Sequence, residues 1–242
     1  MRFKTVLFAA AALLTATSAS ATTTFVRTYE APGVLNTTVN FDFVGVETFD
    51  SRPTGYQSFQ TDFGGNGMVG GTIMNVQVNN ADIYGGANGT HYAFTGSPPI
   101  TVSLDTEVTY FGFWLSALNT GNLVTFFRGN EQLASYDAST VFDGVQDLGL
   151  YHCMPSGPNQ GANCGEPYAF VNFFSVGGGF DRIQLSGPGV EADNFTVGRY
   201  AAGEVDVPEP GTIGLLALGV GLAAAGRRRG RHGRRGWRLH LR

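Results

Sequence analysis

The sequence predicts an all-β protein: a single β-sandwich domain of jelly-roll-like form over residues 22–206, with a C-terminal transmembrane helix beyond it. Three observations predict this. Apolar residues alternate with polar ones over short runs, which is the period of a strand with one buried face. The chain holds 35 glycines in 242 residues, about twice the ordinary share, and many of them fall in clusters that punctuate those runs. No stretch of 22–206 carries a convincing helical period. Many short strands between glycine-rich turns, with no internal repeat, favour a sandwich over a propeller or a solenoid.

The elements follow in chain order. Residues 1–21 have the three parts of a secretory signal peptide: the basic Arg2 and Lys4, the apolar run Val6–Leu14, and the small-residue site Ala19-Ser20-Ala21, which places the mature start at Thr22. Val39, Phe41 and Phe43 alternate with Asn40 and Asp42, and Met74, Val76 and Val78 alternate with Asn75, Gln77 and Asn79. Further strand-like runs are Val108–Leu115, Leu123–Phe127, Tyr168–Phe174, Arg182–Leu185 and Asn194–Val197. The clusters at 64–67, 85–89 and 177–179 supply turns. Gly65, Gly67 and Gly70 fit a Gly-x-Gly-x-x-Gly spacing, but no strand–turn–helix unit surrounds them, so they read as a loop.

Cys153 and Cys164 are the two cysteines, and both lie in the exported part. The ten residues between them have no core-forming pattern. In an oxidising compartment this even count predicts one disulfide closing a short exposed loop. His152 is the only other ligand beside them, which is poor for zinc.

The tail carries the most specific signal. Val207-Pro208-Glu209-Pro210 is followed by the uncharged span Gly211–Gly226 and then by Arg227-Arg228-Arg229. Sixteen residues make about 24 Å of helix, short of a bilayer core of about 30 Å, although a terminal arginine can snorkel to extend the reach. Eight of the chain's fifteen Lys and Arg lie from Arg227 onward. The positive-inside rule keeps that end cytoplasmic and places the domain across the membrane. Residues 230–242 form an arginine-rich cytoplasmic extension. Because it follows directly on an apolar span, it does not imply nucleic-acid binding.

The domain itself is strongly acidic. Its basic residues are Arg27, Arg52, Arg128, Arg182 and Arg199, with no lysine, against a large excess of carboxylates. Such a surface repels nucleic acid and anionic lipid and attracts cations. Catalytic landmarks are sparse. Only His91 and His152 occur in the domain, and neither a Gly-x-Ser-x-Gly elbow nor a His-Glu-x-x-His pair is present. The domain is therefore not expected to be an enzyme. A carboxylate pair of a glycoside hydrolase stays open as a third reading.

A signal peptide at one end, with Val207–Pro210, an apolar span and the Arg227–Arg229 cluster at the other, resembles the PEP-CTERM proteins of Gram-negative bacteria. The resemblance implies recognition of 207–229 by exosortase, a membrane-embedded enzyme, after export and signal-peptidase cleavage. It further implies a transient inner-membrane tether and then a place at the cell surface or in the extracellular matrix. The extension 230–242 departs from the family pattern, whose tails stop soon after the arginines.

Inside the domain, Tyr110–Ala117, Asn122–Phe127, Phe180–Ile183 and Glu191–Val197 look like one group of exosortase-dependent surface proteins. The last phrase also resembles the closing strand of jelly-roll carbohydrate-binding modules. These likenesses imply a structural or adhesive role in an exopolysaccharide or biofilm matrix. A carbohydrate-binding module for an exopolysaccharide is the alternative.

Such modules often hold a structural calcium ion between an early carboxylate and one on the last strand. Asp50 and Asp193 stand at comparable places, and calcium prefers carboxylate and carbonyl oxygens. The competing reading has Asp193 capping a turn and Asp50 in solvent. No other cofactor is expected. Trp114, with Tyr84, Tyr92 and Tyr110, offers a stacking surface for sugar rings. Trp114, however, sits in a largely apolar run, where a buried core role weighs more.

Overall fold

The computed structural model describes residues 23–199, apart from 65–66, 88, 117–120, 138–139 and 141–147. The signal peptide with Ala19 and Ala21, the Val207–Pro210 motif, the expected span 211–226, Arg227–Arg229 and the extension 230–242 all lie outside the described residues. Among the described residues no helix is long and apolar enough to cross a membrane.

Among the described residues, twelve strands form one continuous antiparallel sheet. They are β1 (Thr24–Tyr29), β2 (Phe43–Glu47), β3 (Gly55–Thr61), β4 (Gly71–Asn80), β5 (His91–Thr95), β6 (Ile100–Val108), β7 (Tyr110–Ser116), β8 (Leu123–Arg128), β9 (Glu131–Asp137), β10 (Ala169–Val176), β11 (Phe180–Ser186) and β12 (Val190–Arg199). A 3-10 turn at Leu148–Tyr151 precedes β10. The hydrogen-bonded order is β1-β10-β7-β12-β5-β4-β6-β11-β8-β9, with β2 added on β12 and β3 on β4. The two ends of this path meet through side chains. The Arg27 guanidinium of β1 lies 4.8 Å over the Tyr136 ring of β9, and Phe25 stands edge-on to Tyr136 at 6.1 Å. The sheet is therefore nearly closed, with β1 and β9 facing one another across side chains.

Phenylalanine fills the interior. Phe126 of β8 touches Phe173 of β10 at 5.2 Å and Phe180 of β11 at 5.0 Å. Phe195 of β12 packs edge-on against Phe111 and Phe49. The tilted and edge-to-face geometries are those that aromatic quadrupoles prefer.

Strand β7 is buried along its whole length. Phe111, Phe113 and Leu115 face the core, while Tyr110 is covered by Phe41 and Trp114 by Tyr168. That double cover explains why Tyr110–Leu115 reads as a continuous apolar run instead of an alternation. Gly112 is required between them. A Cβ there would collide with the Tyr110 hydroxyl and stand 2.7 Å from the Phe170 ring.

Three expected runs are altered. Residues 39–42 hold no strand, and β2 starts only at Phe43. The segment just before them turns instead to the buried Glu30 carboxylate, which accepts the Thr38 N–H at 3.1 Å and the Thr38 hydroxyl at 2.6 Å. The run Val108–Leu115 is broken at Thr109, where the chain leaves the β6 ladder and joins β7. Thr109 N–H donates to Gly198 O, and Thr109 O accepts from Ser175 N–H.

In β4, Met74 and Asn75 together stand opposite Ser58, since Gln57 pairs with Val76 and Phe59 with Ile73. Asn75 takes φ 61° and donates its N–H to Ser58 Oγ at 3.1 Å. This bulge puts Ile73, Val76 and Val78 into the core and turns Met74 away from it, so the simple alternation Met74–Val76–Val78 is corrected.

Candidate functional site

Two places on the domain concentrate polar chemistry. The first is where β12 begins. A register shift between Asp193 and Thr196, with Asn194 at φ 52°, buries Asp193 to 1% exposure. One carboxylate oxygen accepts the Ala87 N–H at 2.8 Å and the other its neighbour Asn194's N–H at 2.7 Å. Burial pushes the Asp193 carboxyl up to about 8. The two N–H donors oppose this, and the Asp50 and Glu47 carboxylates add to it.

Asp50 accepts the Thr90 hydroxyl from the same loop that offers Ala87. The fold thus brings Asp50 and Asp193 to one loop, in keeping with the sequence pattern. One oxygen of each, however, holds that loop, the second Asp193 oxygen holds the Asn194 N–H, and the described residues contain no group of three or more His, Cys, Asp or Glu placed to hold a metal ion. The arrangement is that of a loop clamp.

Glu191, two residues earlier, is pushed up to about 8, chiefly by burial, with Asp82 and Glu166 adding to it. Its Oε2 is buried without a hydrogen-bond partner among the described residues. The Tyr92 hydroxyl donates to Asp82 at 3.1 Å, and Tyr168, pushed up to about 12 by burial, donates to Ile83 O at 2.7 Å.

Cys153 and Cys164 are bridged by a disulfide. The loop they close leans on the 81–90 loop through Ser156, whose hydroxyl donates to Ala87 O. It also borders a cleft of about 330 Å3 with Pro32, Tyr151 and Met154.

Trp114 requires a correction. It is 1% exposed and its indole is stacked on Tyr168 at 5.7 Å. In this fold it offers no face to a sugar and belongs to the packing beneath the disulfide loop. Tyr110 is also fully buried, whereas Tyr84 remains exposed.

The second place is a trough of about 530 Å3 across β3, β4 and β6. Register builds it. Gln60 pairs with Thr72, and Thr72 with Ser103. One row further, Asp105 N–H donates to Gly70 O at 2.9 Å. Two residues beyond Gln60, Asp62 also lines the trough.

Above these rows stands Arg52. Its Nη2 donates to the buried Glu47 at 2.5 Å and its Nε at 3.3 Å, and the guanidinium lies 4.0 Å over the Phe59 ring. Thr61 Oγ1 holds the same Glu47 at 2.7 Å. The sequence alone does not reveal this site, because its residues are scattered from 52 to 105 and only strand register unites them. The one hint is Gly70, the last glycine of the loop motif.

The tail matches a known pattern. Residues 206–229 fit the family model of the PEP-CTERM protein-sorting motif. The chain carries that motif, and with it the implication of export, exosortase-dependent processing and surface sorting in bacteria. No curated protein and no solved structure is matched by the chain.

Proposed function

We propose that the domain is a non-catalytic structural or adhesive component of the bacterial cell surface or its exopolysaccharide matrix, delivered there as cargo of the sorting tail. The observation that carries this reading is the PEP-CTERM motif at 206–229. Two features of the domain support it. The sheet is nearly closed around an aromatic core, a form suited to persistence outside the cell. The Cys153–Cys164 bridge suits an oxidising compartment. We read the closed sheet as a flattened, jelly-roll-like sandwich in which β5 joins the two layers by pairing with both β4 and β12.

On this reading exosortase engages Val207–Pro210 while the apolar span 211–226 sits in the inner membrane and Arg227–Arg229 stay cytoplasmic. Signal peptidase acts earlier, after Ala21. Cell fractionation checks the hand-over. Replacing Pro208, Glu209 and Pro210 by alanine should leave the protein in the membrane fraction, and continued appearance at the surface would contradict the reading. For the adhesive role, cells lacking the protein should retain less matrix on washing; unchanged retention counts against it.

A further inference from the structure

We propose that the trough on β3, β4 and β6 is a binding site for an uncharged, hydroxyl-rich saccharide. Its walls are polar and its floor is opened by a glycine. A Cβ on Gly70 would stand 2.5 Å from Asp105 Oδ2, so a side chain at residue 70 would displace that carboxylate within the trough. Asp62 and Asp105 line it, and among the described residues neither carboxylate has a hydrogen-bond partner. The same holds for the Gln60 amide and the Thr72 hydroxyl. These groups alternate acceptors, donors and a hydroxyl able to do both, which is the complement of a sugar's vicinal hydroxyls.

The trough is also pre-organised. Arg52 is fixed by Glu47 from one side and by the Phe59 ring from below, while Nη1 has no partner among the described residues. Its orientation is set before any ligand arrives, which lowers the entropic cost of binding.

Charge selects the ligand class. Glu47 already neutralises Arg52, so Asp62 and Asp105 leave the trough net negative. Uronates, sulfates and phosphates are repelled. A calcium ion needs six to eight oxygens, and no group of three ligating carboxylate or imidazole side chains is present among the described residues. Apolar ligands find no aliphatic or aromatic residue in the lining, since every lining residue is polar, charged or glycine. The volume falls within the usual range of small-ligand clefts, about 300–1,000 Å3. Gln60, Asp62 and Asp105 are solvent-exposed, so the trough admits internal units of a polymer. The inference rests on the matrix reading for the source of the ligand and deepens it by naming the ligand's chemistry.

The test is retention of the full chain, purified in mild detergent, on an array of neutral, uronic-acid-bearing and free-amine-bearing oligosaccharides, with and without calcium. Retention is expected on neutral members without calcium. Gly70→Ala, which pushes the Asp105 carboxylate across the trough, and the exposed-site double variant Asp62→Asn/Asp105→Asn should each lower it at least tenfold with unchanged melting curves. If Gly70→Ala fails to fold, the double variant decides. The proposal is overturned if no neutral member is retained, if only free-amine members are, if retention needs calcium, or if the folded variants bind like the parent. These variants leave the tail intact. A parent chain that is displayed normally but retains no neutral sugar therefore fails this site alone, and loss of display with sugar binding intact fails the export reading alone.

Discussion

Asp193 shows what a single buried carboxyl contributes. Its pKa is raised from 3.8 to about 8 in the folded chain. Between those values the native state binds a proton that the unfolded chain has released, so stability falls as pH rises. The contribution is full below about pH 4 and is lost as pH passes about 8. The slope approaches about 1.4 kcal/mol per pH unit while one proton distinguishes the two states. Glu191 adds to the same window in the same direction. Urea unfolding at pH 5 and pH 8 should show the lower midpoint at pH 8. Asp193→Asn should flatten that difference. It should also destabilise by about 1–3 kcal/mol at pH 5, because an amide nitrogen cannot accept the N–H of Ala87 or Asn194. Because both Asp193 oxygens hold backbone, added calcium or a chelator should leave the melting curve in place; a shift of several degrees would show a bound ion.

Trp114 tests packing at the same scale. Trp114→Ala should cost about 3–5 kcal/mol of unfolding free energy, the usual range for a buried aromatic. A variant with unchanged stability would show that the Tyr168 stack is not formed.

At the scale of elements, the disulfide loop is the piece most open to trial. It packs on the 81–90 loop through Ser156, and Tyr168, just before β10, reaches the same loop at Ile83. Replacing both Cys153 and Cys164 by serine should lower stability by about 2–3 kcal/mol in the chain-entropy model, seen as a shift of the denaturant midpoint with little change in slope. Labelling of the unreduced native protein by a thiol reagent would show that the bridge is not formed.

The elements also show what is legible in the sequence. Strands β8, β10, β11 and β12 announce themselves through dense apolar residues that enter the core from Val124, Phe173, Ile183 and Val197. Strands β1, β3 and β9 do not, because each pairs on one side only and keeps many polar side chains in solvent. Ladder bonds define them, and β1 draws its partner from far along the chain. Strand β6 is absent from the expected runs although its pattern is plain: Ile100, Val102 and Leu104 alternate into the core. The bulge at Asn75 is not readable, since its cause is the opposing Ser58. The disulfide follows from compartment and count. The Asp50–Asp193 neighbourhood follows from a resemblance to jelly-roll modules, whereas the trough needs three strands in register before it exists.

At the scale of the whole molecule, charge and destination fit together. The chain's basic charge is concentrated in the tail, where eight of fifteen Lys and Arg lie from Arg227 onward. Without it the exported domain is strongly acidic, which favours solubility and keeps it from anionic surfaces. On the proposed reading the sorting motif at 206–229 is a removable address, and the domain is what remains at the destination. The measurement that tests this most directly is the intact mass of the protein recovered from the cell surface. One species is expected, beginning at Thr22 and lacking Gly211–Arg242. A surface species still carrying that segment would contradict it and make the tail a permanent anchor.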